Sequence, residues 1–257
     1  MDTLVIDAGN TRIQWRLRRR GGGLEESDAS LDDLQDDLES VLGSDPDSLQ
    51  VAVSCLRKDH RSILESVLQN KCHTPILWIE NGASPFVSVR TDFPQQTGAD
   101  RALSALAWGR LQNQSSAIII DAGTAVTVDA VTPDGVLLGG WITPGWQALK
   151  KSLEAQAPEL PVNSMNESVE EPWAQETLRA LGGGLETLYG AGVAALQARV
   201  EAGFREQGED SPVTILTGGD AARLRTFFPH ARHLPGLVLD GLEAALKMHD
   251  SSAGGSE

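Results

Sequence analysis

One tripeptide, met twice, limits this chain more than any other feature. Asp7-Ala8-Gly9 recurs as Asp121-Ala122-Gly123, each copy closing an apolar run and each followed by an alternating segment. Thr3 to Ile6 leads into the first copy, and Ile13, Trp15 and Leu17 then alternate with polar residues. Ala117-Ile118-Ile119-Ile120 leads into the second, and Val126, Val128 and Ala130 alternate after it. Period 2 marks a strand with one buried face, so each copy predicts a strand, a tight turn and an antiparallel return strand. A repeated supersecondary unit implies a duplicated architecture. We expect an α/β chain of two similar lobes facing each other, with Asp7 and Asp121 beside one central cleft. The lobes divide as residues 1–115 and 116–250, followed by a disordered tail over 251–257.

The intervening segments fit that plan. Leu31, Leu34, Leu38 and Val41 recur at helical spacing inside Glu25 to Asp47, a stretch with ten acidic residues and no basic one, which predicts an amphipathic helix with a solvated acidic face. Leu49–Leu56 and Pro75–Glu80 read as strands flanking a helix over Asp59–Gln69. Gly98 to Gln112 is Ala/Leu-rich and helical. A third strand of the second lobe runs from Val136 to Ile142, after a Thr132-Pro133-Asp134-Gly135 turn, and Pro144 opens a helix through Leu153. Ala157–Trp173, with three prolines, reads as a mobile loop. Two helices, a strand at Val213–Leu216 and a last helix at Leu237–Met248 follow. The Arg18-Arg19-Arg20 run reads as an exposed hairpin end.

Charge excludes several classes of partner. Lys and Arg total 21 against 36 Asp and Glu, a formal charge of −15. Phosphate backbones and anionic bilayers are bound through basic surface, so we expect neither nucleic acid nor membrane as a partner. No apolar run approaches the roughly 20 residues of a membrane span, and Met1-Asp2-Thr3 before a short Leu4-Val5-Ile6 run is not a signal peptide. Cys55 and Cys72 lack metal or redox spacing and read as small hydrophobes, and His230 and His233 lack an acidic third ligand. The expectation is a cytoplasmic protein.

The two turns carry chemistry of their own. Phosphate oxygens are cradled by backbone N–H groups where glycine permits close approach and short hydroxyl or amide side chains assist. Gly9-Asn10-Thr11 and Gly123-Thr124 supply these, while an ordinary Asx turn would account for either copy alone. A strand-end carboxylate cannot bind phosphate directly but can hold a cation that neutralises it. Amides and bound cations, rather than basic surface, would then receive ATP, and the cleft becomes a nucleotide cleft. Neither G-x-x-x-x-G-K-[ST] nor a strand-linked G-x-G-x-x-G occurs, which removes the main support for P-loop and Rossmann folds.

Asp7-Ala8-Gly9-Asn10-Thr11, Gly98-Ala99-Asp100-Arg101, Asp121-Ala122-Gly123-Thr124-Ala125-Val126-Thr127-Val128-Asp129 and Gly139-Gly140-Trp141-Ile142-Thr143-Pro144-Gly145 occur in that order. The series resembles the motifs of the type III pantothenate kinases, in the actin/sugar-kinase superfamily, from residue 3 to about 246. The resemblance implies two lobes of duplicated actin/ribonuclease-H-like βββαβαβ topology. It also implies ATP-dependent phosphorylation of pantothenate to 4′-phosphopantothenate, the first step of coenzyme A biosynthesis. Asp7, Ala8, Gly9, Asn10, Thr11, Arg12, Ile13 and Gln14 would form the ATP-binding loop, with Thr124 as the second phosphate contact. Gly98, Ala99, Asp100 and Arg101 would line the pantothenate pocket, with Asp100 as general base, and Thr177 would be a further substrate contact. Asp121 would hold a monovalent cation, K+ or NH4+, beside Mg2+ and ATP. The family is dimeric, so a homodimer is implied.

A positioned Asp can take the proton of a poor hydroxyl nucleophile as the O–P bond forms, a contribution of ~10²–10⁴-fold. In isolation Asp100-Arg101 would read as a helix-start acid with a surface ion pair. The pattern departs from the family at Thr91, where a tyrosine is common. Trp141 and Trp146 either pack in the core, the favoured role, or line a pocket or dimer contact. Asp129 either orients the cation site or faces solvent. A kinase for another small hydroxyl compound and a non-catalytic nucleotide-binding accessory protein are the competing functions; a pure binding module would not need Asp100.

Overall fold

The computed structural model describes all residues except 31–32, 43–48, 56, 70–71, 112–114, 166–171, 210 and 254–257. The chain divides into two compact units: Met1–Gln114 with Val131–Gly139 and Gly236–Glu257, and Ser115–Ala130 with Gly140–Pro235.

The first unit is built on β1 (Asp2–Ala8), β2 (Ile13–Arg18), β3 (Leu24–Ala29), β4 (Leu49–Cys55) and β5 (Leu77–Ile79), in the order β3-β2-β1-β4-β5. β1 pairs antiparallel with β2 and parallel with β4, and β4 pairs parallel with β5. Alternation along β1 sorts the core. Leu4, Ile6 and Ala8 face α1 (Leu34–Val41) and α2 (Lys58–Gln69), where Leu34, Leu38, Leu64 and Leu68 complete one cluster. Val5 and Ala52 face the opposite side, with Leu103 and Leu106 of α3 (Ala99–Arg110) and Leu239 and Leu242 of α7 (Leu237–Ala253). Asp7, two residues beyond Val5, therefore belongs to the α3/α7 face.

The second sheet has the order β11-β10-β7-β8-β9-β6, from β6 (Ser88–Val89), β7 (Ala117–Ala122), β8 (Ala125–Val131), β9 (Val136–Pro144), β10 (Val213–Thr217) and β11 (Arg232–His233). β6 pairs with Val136 and Leu137, the part of β9 that belongs to the first unit. β7 and β10, and β10 and β11, pair in parallel. Set beside the first sheet, β9-β8-β7-β10-β11 repeats β3-β2-β1-β4-β5 strand for strand, with the same parallel pairs. The duplication expected from the Asp-Ala-Gly echo is present in the topology. Helices α4 (Trp146–Gln156), α5 (Thr177–Glu206) and the short α6 (Ala221–Leu224) complete the second unit.

Four local expectations are corrected. Glu25–Asp47 is not one helix: its first residues form β3, an edge strand, because Glu26 lies opposite Arg16 and pairs with it, and only Leu34–Val41 is helical. Leu31 and Asp47 lie outside the described residues. Pro144 ends β9, and the Gly145 N–H donates to the Thr124 carbonyl at 3.0 Å, so α4 starts at Trp146. In place of two helices there is one of 30 residues, α5; Gly182 and Gly190 are buried in it, and close packing offsets their poor helix propensity. At Gly190 a Cβ would lie 2.1 Å from the Phe227 ring. The last helix runs past Met248 to Ala253, so residues 251–253 are helical and 254–257 lie outside the described residues.

The arginine run is engaged rather than idle. Arg18 pairs with Glu243 at 3.0 Å, and Arg19 with Asp2 at 3.1 Å and Glu25 at 3.2 Å. Arg16, 6% exposed, pairs with Glu26, Asp240 and Glu243 and so ties β2 to α7. Cys55 and Cys72 are both free. No helix among the described residues is long and apolar enough to cross a membrane. α7 approaches α3 closely through Gly241, where a Cβ would sit 2.2 Å from the Leu103 carbonyl oxygen. Gly241→Ala should therefore destabilise the fold by about 1–3 kcal/mol despite alanine's better helix propensity, an effect read as a lowered Tm in thermal denaturation.

Candidate active site

The first turn follows β1 directly. Gly9 N–H donates to the Arg12 carbonyl at 3.0 Å, closing a tight loop, and Ala8 and Asp7 are held opposite Ile13 and Gln14 on β2. Asn10, Thr11 and Arg12 are exposed, whereas Ala8 and Ile13 bury their side chains in the core and can offer only backbone groups to a ligand.

Asp100 reaches the same face of the first sheet. It is the second residue of α3, whose first turn follows Gly98 and Ala99. Its Oδ1 accepts the Arg101 backbone N–H at 2.9 Å, and the carboxylate folds so closely over Gly98 that a Cβ there would lie 2.3 Å from Oδ1. Burial pushes its carboxyl above the usual range, partly opposed by the Arg101 backbone and charge. Asp7 Oδ1 is sealed from solvent with no hydrogen-bond partner among the described residues. Its carboxyl is pushed up to about 7, first by burial and then by the charge of Asp100, while the Ser54 hydroxyl works the other way. A carboxylate whose proton affinity is raised by desolvation and by a second carboxylate is a functional signature.

The second turn repeats the first with a different frame. Gly123 N–H donates to the Ala125 carbonyl at 3.0 Å, and the Gly145 N–H holds the Thr124 carbonyl. A Cβ on Gly145 would lie 2.1 Å from the Gly123 carbonyl oxygen. Gly218, at φ +86°, presses against Asp121, where a Cβ would meet Oδ1 at 2.3 Å, and Asp220 N–H donates to the Ala122 carbonyl at 2.8 Å. Asp121 and exposed Thr124 therefore share one strand end, while Thr177, also exposed, opens α5 in the same unit.

Sequence reasoning missed the hydroxyl residues that accompany the aspartates. In the parallel registers Asp7 lies opposite Ser54 on β4, and Asp121 lies opposite Thr217 on β10, both hydroxyl residues being buried. A lone polar residue at the end of each apolar run was the available signal. Asp129 does not face solvent: it is 2% exposed and accepts the Thr127 hydroxyl at 2.9 Å. Trp146 is fully buried, as expected of a core residue, with Tyr189 edge-on and the Arg223 guanidinium 4.2 Å from its ring centre. Trp141, by contrast, is 40% exposed and carries the Arg199 guanidinium 4.0 Å over its ring, so core packing is not its role.

Among the described residues no three His, Cys, Asp or Glu side chains form a metal cage. Mg2+ in phosphoryl-transfer sites needs only one or two carboxylates, its other ligands being phosphate oxygens and water. The unpartnered Asp7 oxygen is a hard donor of that kind.

A duplicated sheet with an aspartate-glycine turn at the central strand of each copy defines the actin-like, sugar-kinase class of ATPase folds. Solved structures share it. A Campylobacter jejuni protein described as a Baf family transcriptional activator superposes with a TM-score of 0.64 at 20% identity, covering 96% of this chain and 99% of its own. MreB5 of Spiroplasma citri, bound to AMPPNP, gives 0.50 at 9% identity over 100% and 99% of the two chains. The family model for type III pantothenate kinase matches residues 3–199. A type III pantothenate kinase of Marinobacter nauticus is 34% identical over 243 residues, 93% of this chain and 96% of that protein. The chain belongs to the type III pantothenate kinase family.

The raised Asp7 carboxyl has a measurable signature. The folded chain keeps this proton up to about pH 7, against an ordinary value of 3.8, so stability drains away as pH rises through that window. Asp7→Asn should raise Tm at pH 8 by roughly 4–8 °C and leave it nearly unchanged at pH 4. A pH-independent difference would contradict the assignment.

Proposed function

We propose that Asp100 is the general base in the ATP-dependent phosphorylation of pantothenate to 4′-phosphopantothenate, the first step of coenzyme A biosynthesis, which this chain carries out as a member of its family. The supporting observation is the Asp100 carboxylate itself, half-buried at a helix start, fixed by the Arg101 N–H and raised in proton affinity. A base whose pKa is lifted towards the working pH takes a hydroxyl proton more effectively than an ordinary carboxylate. Gly98 and Ala99 set the turn that presents it, Arg101 is the cationic partner for the pantothenate carboxylate, and Thr177 is a further substrate contact.

For the nucleotide, Asp7 to Gln14 form the phosphate-binding loop. Gly9 closes the turn through its own N–H, the amides of Asn10 and Thr11 meet phosphate oxygens, Arg12 and Gln14 flank them, and Ala8 and Ile13 take part through backbone alone. Thr124 supplies a second phosphate contact through its hydroxyl. Asp7 is the carboxylate that meets Mg2+ with its unpartnered oxygen, and Asp121 holds a monovalent cation, K+ or NH4+. Bound there, these cations neutralise phosphate charge that carboxylates alone would repel. We place the enzyme in the cytoplasm as a homodimer. In support of a protein partner, Ile142 and Leu188 of the second unit are 63% and 61% exposed.

The base assignment is tested with purified protein, Mg-ATP, K+ and pantothenate. Asp100→Asn should lower kcat by about 10²–10⁴-fold while thermal unfolding stays cooperative. In wild type, kcat/KM should rise with pH along a limb displaced above the ordinary carboxylate range, because the deprotonated form is the active one. The cation assignment is tested separately. Replacing K+ by choline should depress turnover, and Asp121→Asn should remove that dependence; equal rates in both salts would exclude Asp121 from the role.

A further inference from the structure

Among the described residues no side chain hydrogen-bonds the Asp100 carboxylate. Its hydrogen bonds run to backbone N–H groups of the helix start, that of Arg101 at 2.9 Å and that of Asp100 itself, and the residue before the helix, Gly98, provides no side-chain cap. The carboxylate therefore stands wherever the chain at residues 97–99 stands. That stretch is tied down at Thr97, which is 4% exposed. Thr97 N–H donates to the Pro94 carbonyl at 3.1 Å, and its own carbonyl accepts the Gly82 N–H at 2.9 Å. Gly82 is packed so tightly that a Cβ would meet Pro94 O and Thr97 Cβ at 3.0 Å and Val89 Cγ2 at 3.1 Å. A bridge between Asn81 and Gly98 closes the knot on the other side.

The side-chain tie is Thr91. Its hydroxyl lies 2.6 Å from the Thr97 hydroxyl, which also reaches the Phe93 carbonyl at 3.4 Å. With Thr97 donating to Phe93, Thr91 donates to Thr97, and one proton chain runs across the base of the turn. A hydroxyl pair this short, half shielded from water, fixes a loop more firmly than backbone bonds alone.

We propose that Thr91 and Thr97 are positioning residues, whose paired hydroxyls set where the Asp100 carboxylate stands relative to the substrate hydroxyl. The proposal rests on Asp100 being the base. Neither threonine touches a reacting atom; both act through the backbone of residues 97–99. Catalysis by a positioned base is sensitive to displacements near 1 Å, for which losses of about 10²-fold are known.

The test compares Thr91→Val, Thr91→Ser, Thr97→Ser and Asp100→Asn with wild type, by steady-state kinetics across pH and by thermal denaturation. Thr91→Val should lower kcat by roughly 10-fold or more, leave KM for ATP unchanged, and displace the rising limb of the pH profile. Thr91→Ser and Thr97→Ser, which keep the hydroxyls, should remain within a few-fold of wild type. A Thr91→Val enzyme with wild-type kcat overturns the proposal. So does a lowered kcat with an unmoved pH limb, because loss of folded enzyme alone produces that result, and so does a Thr91→Ser enzyme as impaired as Thr91→Val. Wild-type turnover by Asp100→Asn would instead refute the base assignment on which the proposal stands, and the threonine rates could not produce that result.

Discussion

Two half-buried carboxylates on one face of a sheet set the terms for the rest of the first unit. Asp7 arrives there because β1 alternates, and Asp100 because α3 packs on the side to which Val5 points. Desolvation discourages both from ionising, and the Asp100 charge discourages Asp7 further, so the arrangement opposes folding and survives only because its surroundings are over-determined. Leu103 and Leu106 clamp α3 to α7, α7 is clamped to β2 by the buried Arg16, and the tight packing at Gly82 and Gly98 leaves the helix start nowhere else to go. Strain of this kind is characteristic of sites built to act rather than to stabilise.

The acidic composition takes on a local meaning beside this. A chain of −15 charge repels both an anionic nucleotide and an anionic acceptor over long range. Attraction must come from short-range groups, and in the first unit Arg16, Arg18 and Arg19 are already committed to carboxylates of the same unit. What is left for phosphate is exposed Arg12, bound cations and the least charge-dependent of devices, backbone amides in turns kept open by glycine.

Much of this was legible in the sequence, for a definite physical reason. The apolar runs at β1, β2, β4, β7, β8 and β10 are alternating or continuous, so these strands follow from pattern, and the duplication and the equivalence of Asp7 and Asp121 follow from the repeated Asp-Ala-Gly turn. What the pattern hides is cross-strand information. β3 could not be told from the start of a helix because its stability comes from Glu26 meeting Arg16 on a neighbouring strand. Ser54 and Thr217 become significant only once the registers of β1 with β4 and β7 with β10 are known. Asp129 could have pointed either way until its burial was seen. The continuous α5 shows tertiary packing overriding the weak helix propensity of Gly182-Gly183-Gly184.

The contribution of α7 to the first unit bears on how the chain is made. Val238, Leu239, Leu242, Ala245 and Leu246 form part of the core that also holds Val5 and Ala52, although between 186 and 241 residues of synthesis separate them. While the ribosome is still delivering the second unit, one side of the first sheet has α3 but not α7 to cover it, so part of its apolar surface remains exposed. The N-terminal unit emerges first yet is completed last, so it cannot fold as an independent module ahead of the rest. Until release, β1 and β4 present an apolar surface of the kind that chaperones bind.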